Sequence, residues 1–195
     1  MDEMIPELIS GALTTLQLSM LVLLLSTLPG LALGWLCSLS FIPLARLFRL
    51  FANVVKVIPP ILLLIVLYFA VFPLLGLESM SALAVAGISL GLAFMPLQAE
   101  AFRLLFDRTQ KPADRTGYAE FVRALSGNFA LMIRDSSLAS LIAVPELFKA
   151  GQKVAAETYE IFLPYTFMLV FYLGVGLLVI YLGKVLAWSL LKAGK

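Results

Sequence analysis

The stretch Thr15–Leu36, TLQLSMLVLLLSTLPGLALGWL, decides the fold class. It carries no charge, and the charge-free run around it extends from Leu8 to Ala45. A helix needs about 20 apolar residues to cross the hydrocarbon core of a bilayer, so this stretch is read as a membrane span. The flank before it is acidic (Asp2, Glu3, Glu7) where a cleaved signal peptide needs positive charge, and the apolar run is longer than a signal peptide's.

The rest of the chain agrees. Of 195 residues, 62% are hydrophobic and 13% charged, against about 45–50% and about 25% in an ordinary soluble domain. Mean hydropathy is +1.02. A chain this short cannot hide nearly two-thirds of its residues from water by folding on itself. That excludes a soluble enzyme, a nucleic-acid module and a disordered tail. The expectation is an all-α integral membrane helical bundle, one domain over residues 1–195, with about five transmembrane helices.

The further spans are read from the remaining apolar runs. Val57–Leu77 opens on Pro59-Pro60, where proline fits a first helical turn. Ser79–Ala99 follows Pro73, Gly76 and Glu78, which predicts a tight helical hairpin between these two runs. Ala124–Ile133 and Ser136–Pro145 lie on either side of Arg134-Asp135. The first piece reaches only about 15 Å as a helix, so it either lies in the interface or is completed by the second into a fourth span. Ile161–Gly183 is the fifth.

Charge placement gives a direction. Arg46, Arg49 and Lys56 fall in the first connection; Arg103, Arg108, Lys111, Arg115 and Arg123 in the third; and Lys184, Lys192 and Lys195 in the tail. The other side has the acidic start, Glu78, and the mixed set Lys149, Lys153, Glu157 and Glu160. Lysine and arginine favour the cytoplasmic side, so the expected topology has the N-terminus outside and the C-terminus in the cytoplasm.

Charge inside a span is costly and is a functional hypothesis by default. Arg134-Asp135 is the main case. Ser136 and Ser140 would share one face of an α-helix, with Ser137 adjacent, a face suited to a solute path. The alternative is that small residues simply let helices approach closely. Glu100 is expected to pair with Arg103 one turn on, and Glu146, beside Pro145, to mark the outer end of the fourth helix. Trp35, Tyr68, Tyr165, Tyr172, Tyr181 and Trp188 read as interface anchors. With no histidine, one cysteine (Cys37) and no phosphate-cradling glycine loop, the chain offers no histidine base, disulfide or metal motif. Uphill movement of a solute would draw energy from another subunit.

Three stretches then carry a resemblance. Gly11-Ala12-Leu13-Thr14-Thr15-Leu16-Gln17-Leu18-Ser19 is similar to the G-x-x-x-T-L-x-L-S opening of the permease subunits of polar amino acid ABC importers, the histidine/glutamine/arginine type. Lys56-Val57-Ile58-Pro59 resembles a blurred form of their R-G-T-P segment. Arg134-Asp135-Ser136-Ser137-Leu138-Ala139-Ser140-Leu141-Ile142-Ala143-Val144-Pro145-Glu146-Leu147 is similar, almost residue for residue, to their K-D-T-S-L-A-S-x-I-x-V-P-E-L. The resemblance implies five spans in a bacterial cytoplasmic membrane and a second permease as homo- or heterodimer partner. It also implies a solute-binding protein and cytoplasmic ATPase subunits that hold ATP and Mg, with no cofactor in this chain and no nucleic-acid partner.

The chain departs from that family at Asn53, where the family has a glutamate, and at Val57 and Ile58, where it has glycine and threonine. The family's E-A-A-x-x-L-G coupling box is matched only by a vestige, Glu120, Arg123, Leu125 and a displaced Gly127, and the docking helix after it is missing. The expected function is therefore half of an amino-acid translocation path, in a heterodimer whose second permease has the intact box. A non-coupling permease relative acting as scaffold or regulator is the alternative, and a transporter for a solute other than an amino acid is a third. Replacing Arg108, Lys111 and Arg115 together by glutamine should disturb topology or ATPase association, read by protease accessibility and co-purification. Altered solute affinity in detergent would contradict that assignment.

Overall fold

In a computed structural model, residues 4–39, 41–106 and 115–192 are described. Arg108, Lys111 and Lys195 of the charge reading lie outside them, as do Asp2 and Glu3. Helix α1 runs Met4–Cys37, enclosing the stretch read first. It is followed by α2 (Ile42–Val57), α3 (Pro60–Val66), a wide π turn (Leu67–Val71) and the short α4 (Phe72–Leu74). Then come α5 (Ala82–Phe106), α6 (Arg115–Asp135), a 3₁₀ segment (Ser136–Ile142), α7 (Leu147–Thr158) and α8 (Phe162–Lys192). The described residues form no strand.

Three of these helices, α1, α5 and α8, are long and apolar enough to cross a membrane. A fourth crossing exists if α2 and Pro60–Leu74 count as one pair, bent by 88°. The chain is thus a helical membrane bundle. The hairpin expected at Gly76 is present, with Gly76 at φ +70, a conformation that glycine adopts without steric cost.

The first connection is helical: α2 occupies most of it, because its charges recur at helical spacing beside apolar residues. Two local readings need correction. The fourth apolar region is not one helix through Arg134-Asp135. Ser136 and Ser137 donate to the carbonyls of Ile133 and Arg134 at 2.7 and 2.8 Å, and the backbone tightens into a 3₁₀ segment that ends at Ala143, φ 63. Side chains four apart do not stack in that geometry, so Ser136 and Ser140 are both buried but not on one α-helical face. Glu100 pairs with Lys56 at 2.8 Å rather than with Arg103.

The centre of the bundle is α1 against α5. Lipid is as apolar as leucine, so helices in a bilayer associate through close packing at small residues. Leu21 and Leu25 of α1 cover Gly87 and Gly91 of α5, while Gly30 and Gly34 face Gln98, Ala99 and Phe102. The matched order makes the two helices parallel. On the far side, α6 meets α8 where Ser126 lies against Gly183, and the rings of Phe102 and Phe121 join α5 to α6 at 5.3 Å. These contacts gather the end of α1, α2, the end of α5, the start of α6 and the end of α8 at one end of the bundle. Arg46, Arg49, Lys56, Arg103, Arg115, Arg123, Lys184 and Lys192 belong to it. The start of α1, α7 and the start of α8 form the opposite end, where Lys153 binds Glu7 at 2.8 Å.

A Cβ added at Gly34 would lie 2.8 Å from the Ala99 carbonyl oxygen, and backbone cannot step aside as a flexible side chain can. Gly34→Leu should destabilise the chain by about 3 kcal/mol, the upper end for overpacking, read as a lower melting temperature in detergent. Gly127, with nothing within 4 Å of an added Cβ, is the control: Gly127→Ala should leave melting unchanged or raise it.

Candidate functional site

The segment Arg134–Leu147 is built from the end of α6 outward. Arg134 and Asp135 contact each other directly, Nε to Oδ1 at 2.6 Å, with side chains 67% and 15% exposed. Ser136 and Ser137 are occupied by backbone carbonyls. Ala139, Ser140, Ile142 and Val144 turn inward, and the Val144 N–H donates to the Ala139 carbonyl at 3.2 Å. The chain thus reverses at Ala143 and reaches Glu146 already anchored.

Glu146 is the feature that sequence reasoning undervalued. Read as the end of a helix, it is instead the N-cap of α7 and is fully buried. The N–H of Lys149 donates to Oε1 at 2.8 Å and the N–H of Phe148 to Oε2 at 2.9 Å. The Tyr172 hydroxyl donates to Oε2 at 2.7 Å, and Thr15 Oγ1 lies 3.5 Å from the same oxygen. Thr15 Oγ1 also accepts from the Leu147 N–H at 3.1 Å. A carboxylate has about four lone-pair sites, and four donors surround this one. It is a joint between α1, α7 and α8 rather than a free acid or base. Gly11 makes the joint possible, since an added Cβ would sit 2.7 Å from Ala150 Cβ and 2.9 Å from Leu147 Cα. The signal in the sequence was Thr15, Pro145 and Glu146 in separate motifs, with nothing in either to say that they meet.

A second buried polar contact joins α5 and α6. Asn128 Nδ2 donates to the Leu97 carbonyl at 3.0 Å and to Gln98 Oε1 at 3.3 Å. Gln98 is fully buried. Both amides stood inside apolar runs, which was the available signal. Among the vestigial coupling residues, Glu120 and Arg123 are exposed on α6, while Leu125 and Gly127 are half-buried. Beside the π turn a cavity of about 230 Å³ is lined by Tyr68, Phe69, Phe72 and Glu78, with Met80 and Val85 behind. In the middle of α7 the Glu7 carboxylate holds the Lys153 ammonium above its ordinary range. That exposed pair contributes little to stability.

Glu146→Ala would remove the cap, worth about 1 kcal/mol, and leave two buried N–H groups and the Tyr172 hydroxyl without their acceptor, at about 1–3 kcal/mol each. The expected loss is about 3 kcal/mol or more, with Tyr172→Phe near 1 kcal/mol, and the two effects non-additive in a double-mutant cycle. Equal melting of Glu146→Ala and the parent chain in detergent would contradict the joint.

No family model matches the chain. Among solved structures, a chain of the crystal structure of an amino acid ABC transporter with histidines superposes at a TM-score of 0.78. The two are 18% identical, and the match covers 97% of this chain and 96% of that one. The protein therefore has, over nearly its whole length, the fold of a chain of an amino acid ABC transporter.

Proposed function

We propose that this chain is a permease subunit of an ATP-driven ABC importer for a polar amino acid or similar small solute, forming half of the translocation path. The observation that carries the reading is the match of fold along the whole chain. The segment Arg134–Leu147 adds support, because the stretch most similar to the permease family is also the one that builds a buried joint and places a charge pair beside it.

In this reading five segments cross the bilayer, with the bent Pro60–Leu74 and α6 completing the set of α1, α5 and α8. The basic end faces the cytoplasm and the Glu146 joint faces outward, in a bacterial inner membrane. Arg134, Asp135 and Ser137 lie at the path or at the seam with a second permease, and Ser136 and Ser140, buried within this chain, shape the segment behind them. ATP and Mg act on partner ATPases, and a solute-binding protein delivers the solute. The exposed Glu120 and Arg123 are what remains of the ATPase contact, which favours a heterodimer whose other permease couples normally. The same degenerate box supports the second reading, a scaffold or regulatory relative.

Co-purification with the neighbouring permease and ATPase, followed by amino-acid uptake in proteoliposomes, separates the two. Uptake that needs this chain supports the permease; unchanged uptake without it, with altered complex composition, supports the scaffold. Asp135→Ala should lower uptake about ten-fold or impair assembly, because Arg134 loses its partner in a region of low dielectric. Normal uptake together with normal assembly would remove the charge pair from the mechanism.

A further inference from the structure

The first connection holds a helix with three distinct faces. At 100° per residue, Ala45, Phe48 and Ala52 of α2 fall on one side, where Ala45 is fully buried and the other two pack on Leu33, Cys37, Met95 and Ala99. Arg46, Arg49, Asn53 and Lys56 form a polar strip beside that face. Leu47, Leu50 and Val54 point away from the bundle and are 59%, 61% and 55% exposed. The helix leaves the following segment at 88°, and its inner face rests on Leu33, Cys37, Met95 and Ala99 toward the ends of α1 and α5.

A soluble environment does not tolerate such an outer face, and a span would not carry three cations. The combination of a wide apolar side with a narrow basic strip belongs to helices that lie in the headgroup plane. Its level fits. The chain's two tryptophans, Trp35 and Trp188, are both exposed at this same end of the bundle, and Lys192 lies over the Trp188 ring at 3.8 Å. Tryptophan collects where membrane meets water.

We propose that α2 is an in-plane helix whose Arg46 and Arg49 bind anionic phospholipid headgroups. Lys56 is taken by Glu100, whereas among the described residues neither arginine is in an ion pair. Among the described residues Arg49 uses Nε alone, toward the Ala45 carbonyl at 3.2 Å, which leaves its terminal nitrogens for a phosphate oxygen. Lipid suits the site better than an ATPase, because acyl chains cover the leucine face at the same time as phosphates meet the arginines. The inference rests on the membrane reading and on neither the solute nor energy coupling, so it can fail while the permease reading stands.

The test is mass spectrometry of lipids retained by the full chain released from mixed phosphatidylglycerol and phosphatidylcholine nanodiscs. The parent chain should retain phosphatidylglycerol preferentially, and Arg46→Gln with Arg49→Gln should cut that preference by about two-fold or more, given roughly five-fold attraction per basic residue near an anionic leaflet. Arg46→Lys with Arg49→Lys should keep most of it. High salt should weaken the preference of the unmodified chain, a readout that needs no variant. No preference in the parent, a salt-independent one, or an undiminished one in the glutamine variant would overturn the proposal. So would loss of ATPase or second-permease association in that variant with lipid retention unchanged.

Discussion

Everything else in the bundle depends on how closely α1 and α5 can approach. Water drives no association inside a bilayer, so a membrane core has to be made from contact itself. Gly30 and Gly34 on one helix and Gly87 and Gly91 on the other supply that contact along the pair. Each glycine accepts either a backbone or a leucine side chain of the partner. With this pair set, the cluster of Leu18, Val22, Leu90 and Met132 closes beside it, and Phe48 and Ala52 seat α2 over its end.

The Glu146 joint is fixed by the same pair from the other end. Thr15 and Gly11 lie on α1 above its contact with α5, and they receive the turn that leads into α7. Burying a carboxylate is unfavourable unless its lone pairs are filled. Here two backbone N–H groups belonging to the first turn of α7 do half of that work, and they needed acceptors in any case. The third and fourth donors come from α8 and α1. One side chain thereby ties three elements, and its removal would free all of them together.

Much of this was legible in the residues, for reasons that differ by element. Thr15–Leu36, Ser79–Ala99 and Ile161–Gly183 stood out because apolar length alone identifies a helix that crosses lipid; the first lies inside α1, and the other two overlap α5 and α8 over all but their first residues. The hairpin at Gly76 was legible because its breakers are local. The 3₁₀ segment was not: Ser136 and Ser137 bend the chain by bonding to carbonyls three residues back, a choice that apolar periodicity does not record. The helix α2 was hidden by its charges, which in a topology reading mark a connection whether or not that connection is helical. Glu146 was hidden because its meaning lies in Thr15 and Tyr172, far away in the chain.

In the proposed reading, with α6 as one of five spans, the charge pair at its end constrains its surroundings. Asp135 is mostly covered, but Arg134 is 67% exposed on this single chain. A guanidinium facing hydrocarbon costs several kcal/mol even when it can reach toward headgroups. One neighbouring carboxylate recovers only part of that, because among the described residues a single Nε contact leaves the other guanidinium N–H groups of Arg134 without an acceptor. Gln98 and Asn128 are neutral amides buried between α5 and α6, where Asn128 Nδ2 donates to Gln98 Oε1 and the Leu97 carbonyl, although Gln98 Nε2 has no partner among the described residues. Arg134 has no such enclosure, so the end of α6 has to face water or another polypeptide. Either requirement turns this side of the bundle away from lipid, while α8, with its long exposed apolar face, is the side that lipid can cover.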